Sequence, residues 1–144
     1  MSEAPLGPFV AMAVLCQRVD RQPDGTVDVI GVVDGVAIDQ PEVLVPGQDG
    51  PVVSLTALVS VRAGDLRGRH ALSVRGQYPS GSDGPSVARP VDFTDSTPGA
   101  TLAIPLELEL DGAGTYWFDV YCNDRLVTRI PLVVHLTGAR TSLN

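Results

Sequence analysis

The chain contains no lysine. All ten of its basic residues are arginines, set against 17 carboxylates for a net charge of −7. So acidic a chain lacks the basic surface that nonspecific nucleic-acid binding requires, and nucleic acid is not an expected partner. Long apolar runs are missing too. The longest extends from Phe9 to Cys16, far short of the roughly 20 residues that cross a bilayer, so no membrane span is expected. The opening MSEAPLGP has no basic stretch ahead of an apolar one, which argues against a secretory signal and for a cytoplasmic location. Cysteine is reduced to Cys16 and Cys122. Two cysteines do not make a zinc site, and in apolar segments of a cytoplasmic chain they are expected to be free, buried thiols. Arginine without lysine, with aspartate outnumbering glutamate, points to a GC-rich bacterial genome.

What is present suits a sheet. Of the 144 residues, 44% are hydrophobic and the mean hydropathy is +0.16, enough apolar surface for one ordered domain. Turn signals recur at strand-like intervals: RQPDG at 21–25, PGQDGP at 46–51, AGDLRG at 63–68, PSGSDGP at 79–85, STPGA at 96–100 and DGAG at 111–114. Between them the period is two. Leu102, Ile104, Leu106, Leu108 and Leu110 alternate with residues that include Glu107 and Glu109, the pattern of a strand with one face in a core and one in water. No segment carries a helical stripe. Strands are expected near 9–19, 26–38, 52–62, 69–78, 86–93, 101–110, 115–122 and 126–136. The fold class is all-β, an antiparallel β-sandwich of about seven to eight strands, immunoglobulin-like or C2-like. It forms a single domain over 9–137, with 1–8 and 138–144 as flexible ends.

Two hairpins can be read in more detail. Phe9 to Cys16 is apolar on both faces, as in a strand covered on both sides, and Pro23-Asp24-Gly25 supplies a turn in which Gly25 takes positive φ. At the other end, Tyr116, Phe118, Val120 and Cys122 share one face of a strand. Leu126, Ile130, Leu132, Val134 and Leu136 share one face of the next, with Thr128 among them. Matching those faces calls for an odd loop, and Asn123-Asp124-Arg125 is the natural three. That register sets Asp119 opposite Arg129 and Trp117 opposite Pro131 on the outer face.

LCQRVDRQPDGTVDVIGVVDGV is similar to the opening of a family of small bacterial proteins known as a domain of unknown function: a Leu-Cys pair, a polar turn with Gly, then Ile-Gly and an Asp. GTYWFDVYCNDRLVTRIPLVV resembles that family's closing hairpin, with its Gly-x-Tyr, and GRHALSVRGQYPSG its middle one. The resemblance implies a β-sandwich and carries no catalytic residues. The family's usual glycine in the last loop is absent, so Asn123 or Asp124 must take the left-handed conformation. Gly-x-Tyr is also similar to immunoglobulin-like and fibronectin-like domains, although the spacing from Tyr116 to Cys122 is not that of an immunoglobulin cysteine.

Candidate chemistry is sparse. His70 and His135 are isolated, and Ser73 and Ser86 lack a Gly-x-Ser-x-Gly context, so no catalytic centre, cofactor or metal is expected. Aspartates near turns (Asp20, Asp24, Asp92, Asp95, Asp111, Asp124) would bind calcium only if their loops converged; as turn residues they need no ligand. Arg62, Arg67, Arg69 and Arg75, with His70, are the one basic concentration. They make either a patch for an anion or an acidic partner, or a solvated hairpin. Trp117, Tyr121, Val127 and Val133, beside Arg129, form the candidate partner surface unless another part of the chain covers them. The function expected is a non-enzymatic binding or assembly module for a protein partner or a second copy. The alternative is a sandwich that binds calcium, carbohydrate or an anion through loop residues.

Overall fold

In 99–109 the alternation becomes a division of side chains: Ile104, Leu106 and Leu108 are buried, while Pro105, Glu107 and Glu109 are exposed. The same rule organises the whole computed structural model, which describes residues 7–39 and 51–137. The strands are β1 (Phe9–Arg21), β2 (Val27–Val33), β3 (Gly35–Asp39), β4 (Val52–Arg62), β5 (Gly68–Gln77), β6 (Asp83–Phe93), β7 (Gly99–Glu109), β8 (Gly114–Cys122) and β9 (Arg125–Thr137). They form a four-stranded sheet, β2-β1-β4-β7, and a five-stranded sheet, β3-β9-β8-β5-β6. Among the described residues no helix is long and apolar enough to cross a membrane.

The inward faces of the two sheets make one core. Leu55, Ala57, Val59 and Val61 of β4 and Ile104, Leu106 and Leu108 of β7 belong to the same buried cluster as Leu72 and Val74 of β5, Tyr116, Phe118 and Val120 of β8, and Ile130, Leu132 and Val134 of β9. Burying each large aliphatic or aromatic side chain contributes about 1.5–3 kcal/mol, which offsets the entropy of ordering the chain. The paired β4–β7 and the β9-β8-β5 trio take the places of the B–E and G-F-C strands of an immunoglobulin-type sandwich.

Three features differ from the alternation-based reading. The strand expected over 26–38 is two strands: the chain leaves the four-stranded sheet at Val33 and enters the five-stranded one at Gly35. There β3 runs parallel to β9, and the Val133 amide donates to the Asp34 carbonyl at 3.1 Å. This crossing makes nine strands among the described residues and inserts one parallel ladder into a sandwich whose other ladders are antiparallel. Secondly, β1 is not covered evenly on both faces: Leu15 and Cys16 are buried, but Phe9 and Met12 are exposed.

The third difference is the loop of the last hairpin. It has two residues, Asn123 and Asp124, so Tyr121 pairs with Leu126. A bulge at Val127 then absorbs one residue, and the pairs Asp119–Arg129 and Trp117–Pro131 form as the sequence predicts. Asn123 is the residue that takes positive φ, at 55°. In the first hairpin Gly25 does so at 89°. Of the expected end segments, 1–6 and 138–144 lie outside the described residues; the Gly7 carbonyl accepts a hydrogen bond from Arg125 at 3.3 Å.

Candidate functional site

Because Tyr116, Phe118, Val120 and Cys122 face the core, Trp117, Asp119 and Tyr121 stand on the outer face of β8. Strand register sets three rows across β5, β8 and β9. Ser73, Tyr121 and Leu126 form one, Arg75, Asp119 and Arg129 the next, and Gln77, Trp117 and Pro131 the third. The middle row is charged, and the rows flanking it are centred on aromatic rings.

The two arginines lean opposite ways. Arg129 donates from Nε to Asp119 Oδ1 at 2.7 Å and lies over the Trp117 ring at 4.4 Å; Arg75 lies over the Tyr121 ring at 4.0 Å. Each cation is held by a ring quadrupole, a contact worth about 0.5–1 kcal/mol at an exposed site. The aromatic residues are therefore half-buried beneath guanidinium groups rather than open to water. Arg75 has no hydrogen-bond acceptor or carboxylate among the described residues, and Arg129 commits only Nε. Ser73 is 6% exposed, and its hydroxyl is buried with no hydrogen-bond partner.

Val127 and Leu126 exchange the roles expected of them. Val127 packs against the core as the bulge residue, so it is removed from the partner surface; Leu126, 46% exposed, stands beside Tyr121 instead. The bulge turns one residue inward and the other outward, an exchange that strict alternation cannot show. Val133 lies on the outer face of β9, half-buried. Ser73, Gln77 and Leu126 went unread as parts of this surface. Alternation with Leu72 and Val74 turns Ser73 outward, but only the tertiary pairing of β5 with β8 brings it to Tyr121.

The structure does not gather the four arginines of the basic patch. Arg62 ends β4 in the other sheet, opposite Phe9 and Gly99. Arg67 is occupied by Asp95 at 2.8 Å and by the carbonyls of Gly64 and Leu66. Arg69 faces Asp92 across the β5–β6 ladder, and six residues along β5, roughly 20 Å away, Arg75 joins the aromatic face. His70 pins the hairpin end: one ring nitrogen meets the Arg67 carbonyl at 3.0 Å and the other the Asn123 side-chain amide at 2.9 Å.

Several turn aspartates have local partners. Asp20 pairs with Arg18, Asp24 accepts from Thr26, and Asp111 accepts from Ser80. The Thr26 hydroxyl and amide hold the Asp24 carboxyl below its ordinary pKa. No three His, Cys, Asp or Glu side chains come together among the described residues in a way that could hold a metal. A hollow of about 440 Å³ at one end of the sandwich is lined by Gly7, Pro8, Leu66 and Cys122 to Arg125; the guanidinium on its rim, Arg125, already donates to Gly7. Both thiols are free and buried, and burial raises both above their ordinary pKa.

The profile of a family of unknown function, DUF6941, matches residues 11–135. The chain belongs to DUF6941. No curated protein matches it significantly. Among solved structures it is similar to an immunoglobulin-like protein from Pseudomonas aeruginosa, at 12% identity and a TM-score of 0.42, over 92% of this chain and 100% of that one. It is also similar to part of the Pseudomonas fluorescens alkylpurine DNA glycosylase AlkC, solved bound to DNA containing an abasic site analog, at 8% identity and a TM-score of 0.44, over 92% of this chain and 31% of that one.

Proposed function

We propose that this DUF6941 protein is a non-enzymatic binding module that docks a protein partner on the outer face of its five-stranded sheet. One observation carries the reading: Trp117 and Tyr121, each under an arginine, flank the Arg75-Asp119-Arg129 row, with exposed Leu126 alongside. Tryptophan, tyrosine and arginine are the side chains that dominate binding energy in interfaces, because they desolvate large areas while keeping a polar edge. The two free, buried thiols fit a reducing compartment, and the lysine-free composition a bacterial one, so we place the module in the bacterial cytoplasm.

The test compares outer-face variants. Tyr121→Ser and Leu126→Ser are expected to keep the far-ultraviolet spectrum of the parent and to lose a protein that the parent retains from its own host. With that protein identified and purified, each variant should raise Kd by about tenfold or more. Val32→Ser, on the exposed surface of the other sheet, should bind like the parent. If Val32→Ser loses the partner while Tyr121→Ser and Leu126→Ser keep it, the assignment of the face is wrong.

A further inference from the structure

The binding face presents hydrogen-bond donors without acceptors. Arg75 has no acceptor, the terminal nitrogens of Arg129 have none, and the buried Ser73 hydroxyl has none among the described residues. Asp119 is the one carboxylate in the three rows across β5, β8 and β9, and it is already bonded to Arg129. Asp83 of β6 extends the third row opposite Gln77, so what distinguishes the face is its free donors, Arg75 and the terminal nitrogens of Arg129, on a chain whose net charge is −7. A buried polar group left unpaired costs about 1–3 kcal/mol, so a buried hydroxyl with no partner in the free protein marks a place where an acceptor is missing.

We infer that the occupant of this face is an acidic polypeptide segment whose carboxylates are taken by Arg75 and by the terminal nitrogens of Arg129, with Ser73 donating to the first of them. This rests on the binding-module reading above and adds the chemistry of the partner. Ser73 sits in the angle between Tyr121, its neighbour across the ladder, and Arg75, two residues along the same face. A carboxylate taken by Arg75 in this angle would also supply the acceptor that the Ser73 hydroxyl lacks. Planar guanidinium groups backed by aromatic rings are suited to such a group, because the fork donates in the plane while the ring supports its face. A second copy fits poorly. A two-fold contact would bring together two molecules of the same net charge, −7 each.

Trp117 is the chain's single tryptophan and lies within this patch, so its fluorescence reports occupancy directly. Titration with a decaglutamate peptide at low salt should shift that signal, whereas decalysine should not. Arg75→Gln should weaken decaglutamate binding by about tenfold. Ser73→Ala should weaken it by about threefold while leaving the urea midpoint unchanged or raised, since the lost hydroxyl has no partner in the free protein. Equal binding by parent and Arg75→Gln, or no binding by the parent, overturns the inference. So does equally tight binding of a single-stranded oligonucleotide of the same charge, or a dimer in sedimentation that Arg75→Gln dissociates. If the purified host partner binds Arg75→Gln as tightly as the parent but is lost by Tyr121→Ser, the docking face stands and the acidic occupant falls.

Discussion

Tyr116 is fully buried, and its hydroxyl is fully used. It donates to the Gly112 carbonyl at 2.7 Å and accepts from the Asp111 and Gly112 amides at 3.0 and 3.2 Å. The residue thereby ties the start of β8 to the turn before it, the device known in immunoglobulin-type sandwiches as a tyrosine corner. Its ring packs edge-on against Tyr78, with centroids 5.3 Å apart. Tyr116→Phe keeps the ring and strands both amides, so it should destabilise the fold by about 1–3 kcal/mol, read as a lower urea midpoint with an unchanged slope. The Gly-x-Tyr motif made this residue visible in the sequence; its partners became visible only with the turn in place.

At the scale of an element, the β8–β9 hairpin shows how a wrong loop length can accompany a correct register. Face matching demanded an odd residue, and the chain supplies it as the Val127 bulge instead of a third loop residue. The short loop rests on Asn123. At φ 55° its backbone amide donates to the Ala71 carbonyl at 2.7 Å, and its side-chain oxygen accepts from the Ala71 amide at 3.1 Å. Asn123→Ala should lower stability by about 1–2 kcal/mol, combining left-handed strain with the lost side-chain bonds. Asn123→Gly should recover the strain alone and fall between the two in a thermal melt. If Asn123→Ala melts with the parent, the turn does not depend on this residue.

At the scale of the whole molecule, three buried acids among the described residues are spread across both sheets. Burial raises Cys16, Cys122 and Tyr116 above their ordinary pKa, since each would ionise in a poorly solvated site. The unfolded chain therefore loses these protons at lower pH than the folded one. The stability they contribute is complete below the unfolded thiol pKa and declines as pH rises past about 9 toward the folded values. Urea midpoints should be level from neutral pH to the onset of thiol ionisation and fall steadily above it. Cys16→Ala/Cys122→Ala should lose the thiol part of that slope while keeping the part from Tyr116. A midpoint that rises through the same range would contradict the sign.

Alternation by itself determined that this chain is a two-layer β-structure, and it identified much of the core. A period of two is a property of each strand's own residues: Ile104, Leu106 and Leu108 have one face wherever their neighbours lie. The outward placing of Trp117, Asp119 and Tyr121 and the Asp119–Arg129 pair follow from the same local rule, within one hairpin. The tertiary structure decided what the rule cannot reach. Splitting 26–38 between two sheets depends on where β9 lies, because Asp34 and Gly35 gain their hydrogen bonds from a strand a hundred residues away in sequence. Bringing Ser73 and Arg75 beside Tyr121 depends on β5 pairing with β8, and separating Arg75 from Arg62 depends on their strands lying in different sheets. Side-chain direction is encoded locally, whereas strand adjacency is a collective minimum over the packing of both sheets, and the candidate site lies across three strands whose order only that packing selects.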